Sequence, residues 1–368
     1  MALQVGIVGL PLVGKTTLFN ALTAAGAEAS AYSKASTKPN IGVAKIADPR
    51  LKTLNQFIET KKIVPATINI VDVAGVAKGA STGHGLGNKF LSHIRDMDTI
   101  IHVIRCFESD EVAHPDGTID PVRDIETVET ELILADLELV SNSLDRAKRL
   151  AKSGEKDAIF RAELLEMAFN QLNEAKPARD LTFTPEQAKH VRNLGLITAK
   201  KQLYVANVGE DDIQGTSDAV KKARARAESE GALLVPVCCK LEAELVELSE
   251  QDRTEMLAGL GLKEPALATV ARAAYQTLGL HSFFTVGPDE IRAWTVRIGA
   301  KAPESAGAVH SDLEKSFIKA EIYTLDDLVH HKTEHAIKAA GKLRLEGKDY
   351  VMKDGDITHF QAGLAGRK

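Results

Sequence analysis

Short, nearly continuous apolar runs alternate with helical patterns through the first part of the chain. Gln4–Val8, Thr67–Val71 and Thr99–Cys106, joined further on by Leu203–Asn207 and Leu233–Cys238, are rich in Val and Ile. Such runs read as strands buried on both faces, and the helical stretches between them predict a parallel α/β sheet. The rhythm breaks between about Ile125 and Leu196. There Leu, Ala, Glu, Lys and Arg dominate, and Ile133, Leu137, Val140 and Leu144 recur every three or four positions. This spacing predicts two long amphipathic helices, a coiled-coil hairpin with its break at Ser153-Gly154. Because the strand pattern resumes at Leu203, the helices read as an insertion within one domain. A third module starts near Leu280. Phe283–Val286 and Ala293–Val296 read as strands, Ser311–Lys319 as a helix, and Tyr350–Phe360 as a hairpin turning at Asp354-Gly355. The resulting boundaries are 1–124 with 201–279 for the α/β domain, 125–200 for the helical insertion and 280–368 for the C-terminal module.

Composition narrows the function classes. The 368 residues carry a formal net charge of -5, with 44% apolar and 26% charged positions, the balance of a globular protein with a real core. A polycation that coats nucleic acid with its whole surface is excluded. Met1–Leu10 reads as a strand rather than a signal peptide, and no apolar run approaches the roughly 18 residues that span a bilayer. Cys106, Cys238 and Cys239 lack disulfide or metal spacing and read as reduced thiols. A cytoplasmic monomer is the resulting expectation.

The chemistry is concentrated at the first strand end. Gly9-Leu10-Pro11-Leu12-Val13-Gly14-Lys15-Thr16 fits G-x-x-x-x-G-K-[ST] directly after an apolar strand and before a helix. Glycines let backbone N–H groups wrap phosphate oxygens, and the helix presents its positive end to them. Lys15 would neutralise the β and γ oxygens, and the Thr16 hydroxyl would hold Mg²⁺. Asp72-Val73-Ala74-Gly75 follows the second apolar strand, as D-x-x-G does in switch-type hydrolases. Asp72 would reach Mg²⁺ through water, and the Gly75 N–H would sense the γ-phosphate. Thr37 stands where a switch threonine completes the Mg²⁺ shell, although it also reads as a solvated loop residue. Val76 occupies the position of the glutamine that orients water in Ras-like enzymes. Hydrolysis is therefore expected to be slow, or the water is positioned from elsewhere. His84, His93, His102 and His114 follow, and each reads more simply as a packed or surface histidine.

Asn207-Val208-Gly209-Glu210 ends a strand where GTPases carry N-K-x-D. Guanine offers a donor where adenine offers an acceptor, so a carboxylate aimed at adenine would be left without a partner. Replacing lysine by Val208 and aspartate by the longer Glu210 relaxes guanine selection. Asn207 and the Val208 backbone could then meet adenine. A degenerate motif that still binds guanine is the alternative.

With these motifs in hand, the chain resembles the Obg-like ATPase family, the YchF branch of translation-factor P-loop NTPases. The resemblance is carried by GLPLVGKTTLFNAL, VDVAGVAKGASTGHGLGNKFLSHIRDMDTIIHVIRCFE, NVGE and GKDYVMKDGDITHF, and it runs over nearly the whole chain. It implies a Ras-like G-domain sheet, an inserted helical arm and a C-terminal TGS domain of β-grasp type. It also implies slow ATP hydrolysis with Mg²⁺ and association with the ribosome, through the large subunit or its rRNA. Carried over by position, Leu12, Val13, Gly14, Lys15, Thr16 and Thr17 would wrap the phosphates, and Thr16 and Thr37 would bind Mg²⁺. Asn207 with Val208 would meet adenine, and His114 would be the catalytic group. Leu12 departs from the family's usual asparagine, which puts K⁺ activation in doubt. His84 departs from the family's common glutamate. Arg146, Lys148, Arg149 and Lys152 form a basic cluster on the insertion that reads first as a solvated helix face. Competing functions are a GTPase of the same architecture and a non-hydrolysing, nucleotide-dependent ribosome- or RNA-binding protein.

Overall fold

A computed structural model describes residues 3–24, 40–73 and 86–363, with 86–90 as backbone only. In chain order the first elements are β1 (Gln4–Val8), α1 (Lys15–Ala24), β2 (Asn40–Lys45), α2 (Pro49–Phe57), β3 (Ile63–Val64) and β4 (Thr67–Asp72). There follow α3 (Leu86–Arg95), β5 (Thr99–Arg105), α4 (Pro121–Ala151), α5 (Lys156–Asn173) and α6 (Pro185–Leu194). Next come β6 (Gln202–Asn207), α7 (Asp218–Ser229), β7 (Leu233–Val237), α8 (Cys239–Glu247), α9 (Glu250–Gly259) and α10 (Ala266–Thr277). The chain closes with β8 (Leu280–Thr285), β9 (Ile291–Arg297), α11 (Ala302–Val309), α12 (Ser311–Lys315) and β10 (Phe317–Tyr323), then α13 (Leu325–His331), α14 (Glu334–Ala339), β11 (Arg344–Glu346) and β12 (Ile357–Ala362).

These elements form two compact units. The first comprises Met1–Ala44 and Asn69–Ala274, the second Lys45–Ile68 and Tyr275–Lys368. The sheet of the first unit runs β2-β4-β1-β5-β6-β7. β1 pairs in parallel with β4 and β5, and β5, β6 and β7 continue the parallel run. All seven residues of β5 and all six of β6 are buried, which explains why apolar residues predominate in both strands.

The helical insertion fills the crossover between β5 and β6. Asp120 caps α4 by accepting from the Arg123 N–H, and Pro121 occupies the first turn, where its missing donor costs nothing. The turn 152–155 reverses the chain at Gly154, whose φ is 79°. Behind it α4 and α5 bury Val140, Leu144, Leu165 and Leu172 in a core that Val191 of α6 and Leu196 also join. Polar clasps then fasten this hairpin to the sheet layer. Asp136, fully buried on α4, accepts from the Thr198 N–H and hydroxyl, each at 2.8 Å, and from Arg95 at the end of α3, also at 2.8 Å. Arg95 also donates to the Ala135 and Gly195 carbonyls. Glu129 of α4 pairs with Arg179 and Arg226, which share Glu230, itself the acceptor of the Tyr204 hydroxyl. Buried pairs of this kind are costly to break from one side, because the remaining charge is stranded.

The second unit holds a mixed sheet of order β11-β10-β12-β8-β9-β3. Three sequence expectations change here. The segment 45–68, assigned by sequence to the α/β domain, contributes α2 and β3 to this unit. β3 pairs in parallel with β9, Ile63 opposite Ile291. The helix expected over Ser311–Lys319 stops at Lys315, and Phe317–Tyr323 is a strand. Phe317, Ala320 and Ile322 bury against Phe283 and Val296, so pairing and burial override the helical pattern. The hairpin expected over Tyr350–Phe360 is absent: β12 pairs with β10 and β8 instead. The turn at Asp354-Gly355 is real, with Gly355 at φ 87°, but it closes on β8, whose Ser282 accepts from the Gly355 N–H and donates to Asp354. Among the described residues, no helix is long and apolar enough to cross a membrane.

Candidate functional site

The loop after β1 and the start of α1 build an anion cradle. Gly9 and Gly14 have φ values of 152° and 98°, and Leu12 adopts φ 64° despite its side chain. That left-handed residue is a strained position of the sort that clusters at functional loops. A Cβ on Gly14 would stand 2.4 Å from the Asn207 amide nitrogen, so only glycine permits the close approach of β6. Lys15 opens α1, 7% exposed, with its ammonium donating to the Leu10 carbonyl at 2.6 Å. Burial pulls its pKa down to about 8, against the opposing pull of Asp72. The Thr16 hydroxyl lies 3.1 Å from Asp72 Oδ2. Burial pushes the Asp72 carboxyl up, opposed by the Thr16 hydrogen bond and by Lys15.

These groups open onto a cleft of about 1010 Å³. Its walls come from the loops after β1, β5, β6 and β7, outside the carboxyl ends of adjacent parallel strands, where open α/β sheets take ligands. Leu12, Gly14, Lys15, Thr16 and Thr17 line it from the phosphate loop, and Asn207, Val208 and Glu210 from the end of β6. Sequence reasoning missed Phe107, Glu108, Ser109, Glu111, Val112, Lys240 and Glu244 as lining residues. Phe107 and Glu108 close the family segment that ends RCFE, and the others belong to no motif. Thr37, Gly75, Val76 and His84 lie outside the described residues.

The base end works differently from the sequence expectation. The Asn207 amide donates to the Val13 carbonyl at 2.9 Å, and its oxygen accepts from the Cys239 N–H at 3.1 Å. The residue thus clasps the phosphate loop to the start of α8 rather than presenting a free amide edge. The Val208 N–H is committed to the Val237 carbonyl at 3.0 Å, so Val208 can offer a base its carbonyl but not its donor. Glu210 opens a short 3₁₀ turn and pairs with Lys240 at 2.8 Å. Burial drives the Cys239 thiol up and that of Cys106 up to about 12, which keeps both as unreactive thiols.

Among the described residues, His102 and His114 do not line the cleft. His102 is buried in β5 with its ring 5.4 Å from that of Tyr204, and desolvation holds it neutral, its pKa lowered to about 3. His114 does not line the cleft. Its Nδ1 accepts from the Asp116 N–H at 3.1 Å, which leaves Nε2 to donate to Asp124 at 2.9 Å. Both ring nitrogens are therefore engaged away from the cleft, contrary to the expectation of a group poised there. His114, Asp116 and Asp124 bring three ligand-type atoms within 4.8 Å of one another. Arg123 already balances Asp124 at 3.0 Å, and a metal on Nε2 would have to displace the proton that the Asp116 contact places there.

Comparison with known proteins gives concordant matches. The profile of a family described as "50S ribosome-binding GTPase" matches residues 4–142. The YchF GTPase C-terminal profile, described as a protein of unknown function, matches residues 280–363. The ribosome-binding ATPase YchF of Bacillus subtilis is 48% identical over 98% of this chain and 99% of its own length. That of Escherichia coli O157:H7 is 44% identical over 98% and 99%. The solved Schizosaccharomyces pombe YchF GTPase superposes with a TM-score of 0.85 at 35% identity, covering 98% of each chain.

Proposed function

Because this chain belongs to the YchF family, we propose that it binds ATP with Mg²⁺ in the cleft, hydrolyses it slowly to ADP and phosphate, and acts in the cytoplasm as a nucleotide-dependent switch on the ribosome. The observation that carries this reading is the pairing of two ends of one cleft. One end has Lys15 and the Thr16–Asp72 contact, and the other has an N-x-x-E segment whose glutamate is tied to Lys240. The ribosome and ATP come from the relatives' names.

Each residue has a definite task in this scheme. The loop N–H groups and Lys15 neutralise phosphate oxygens, and an arriving anion offsets the burial that lowers the pKa of Lys15. The Thr16 hydroxyl and the Asp72 carboxylate are hard oxygen donors of the kind Mg²⁺ prefers, so the donor set fits that ion. When bound there, Mg²⁺ would neutralise phosphate charge. Thr37 and Gly75 are assigned the remaining switch contacts by resemblance. At the other end, Val208 removes the lysine stem that packs on guanine, and the longer Glu210, in an exposed pair with Lys240, replaces the aspartate that accepts from guanine. His114 enters catalysis in this reading only if its loop releases Asp124.

Calorimetric titration of nucleotide-free protein with ATP and with GTP in Mg²⁺ buffer tests the proposal. Clearly tighter ATP binding is expected. Equal or tighter GTP binding would reverse the base assignment and make the chain a GTPase, the word used of the Schizosaccharomyces pombe relative.

A further inference from the structure

Arg105 is among the largest fully buried side chains of the molecule, 2% exposed at the end of β5. Among the described residues, it makes no ion pair with a carboxylate. Its donors go instead to three backbone carbonyls of the loop that follows: Nε to Phe107 at 3.1 Å, Nη2 to Val112 at 2.8 Å and Nη1 to Ala113 at 3.4 Å. Its guanidinium plane covers the Phe107 ring at 4.5 Å. A buried cation satisfied only by carbonyls is an expensive way to end a strand, and an apolar side chain would do that at lower cost. The loop it gathers is the one whose Phe107, Glu108, Ser109, Glu111 and Val112 form a wall of the cleft.

We infer that Arg105 is a positioning residue for the base-side wall of the nucleotide site, acting through the 107–113 loop without touching the ligand. The inference rests on the reading of the cleft as a nucleotide site. The register of the sheet supports the assignment: Arg105 pairs across strands with Asn207. Asn207 fastens the phosphate loop to α8, and Arg105 fastens the 107–113 loop, so two neighbouring strand-end side chains each hold a segment that lines the cleft. A fork of five donors fixed in one plane can serve three carbonyls while stacking on a ring. Lysine, a point charge on a flexible stem, cannot do both.

The test separates the base wall from the phosphate loop. Binding of Mg·ATP and of inorganic tripolyphosphate is measured for the wild-type chain, R105Q and R105K, with thermal melting of each. Tripolyphosphate needs only the phosphate loop. R105Q is expected to bind ATP at least tenfold more weakly while its tripolyphosphate affinity stays within twofold, and R105K to recover part of the ATP loss. Unchanged ATP affinity in R105Q, or a parallel loss of both ligands, would overturn the inference. If R105Q shows no cooperative melting, R105K decides: an ATP-selective loss supports the assignment and wild-type affinity overturns it. Wild-type protein that binds ATP no better than tripolyphosphate would instead refute the nucleotide reading, and this inference with it.

Discussion

Raising the pH should weaken nucleotide binding through Lys15 and make binding take up a proton. In the empty site Lys15 is buried and titrates near pH 8, well below an ordinary lysine. Phosphate oxygens favour its charged form, so a bound nucleotide restores a high pKa. With a pKa of 8 the ammonium is about 90% protonated at pH 7 and about 10% at pH 9. Association should therefore be about tenfold weaker at pH 9, and uptake should rise from about 0.1 proton at pH 7 to about 0.9 at pH 9. Calorimetry in two buffers of different ionisation enthalpy reads that uptake directly. The same shift acts on folding with a definite sign. Holding a charged Lys15 costs the native state about 3 kcal/mol below pH 8, and the cost fades as pH rises from 8 towards the unfolded value near 10.5. Uptake below about 0.2 proton at pH 9, or the same uptake in K15A, would refute the argument.

Three further outcomes follow from the packing. Asp136→Ala strands Arg95 and three donor groups, one of them the Thr198 hydroxyl, and should cost about 3–5 kcal/mol in urea denaturation followed by circular dichroism; a loss under about 1 kcal/mol would contradict the clasp. Gly14→Ala should push the phosphate loop off Asn207 and reduce ATP affinity more than tenfold. Gly154→Ala, at φ 79° with nothing within 4 Å of the new Cβ, should lower stability by about 1–2 kcal/mol and leave binding unchanged.

The parallel sheet was legible because buried strands are apolar on both faces, and the observed β1, β4, β5, β6 and β7 fall within a residue of the runs read from sequence. The phosphate loop was legible because its glycines and Lys15 are contiguous and sit between a strand and a helix. The turn between α4 and α5 likewise announced itself at Ser153-Gly154. What stayed hidden depends on partners distant in sequence. Asn207 looked like a base reader because sequence cannot reveal that Val13 and Cys239 occupy both ends of its amide. His114 looked available for catalysis because its lock on Asp124 and Asp116 is a property of the folded loop. The strand Phe317–Tyr323 hid inside a helical pattern because its neighbours β12 and β11 lie downstream.

The pairing of β3 with β9 has a consequence for biosynthesis. The second unit draws Lys45–Ile68 from early in the chain and the rest from Tyr275 onward, so 207 positions separate Ile68 from Tyr275. At about 5–20 residues per second, the early segment emerges roughly 10–40 s before β8 and β9 can receive it. During that interval Ile63 and Val64 have no strand to join. A polypeptide starting at residue 280 would in turn leave the β9 edge unpaired, an exposed template for association with other strands. The C-terminal unit therefore matures only when nearly the whole chain has been made, and its smallest expressible version has to carry residues 45–68.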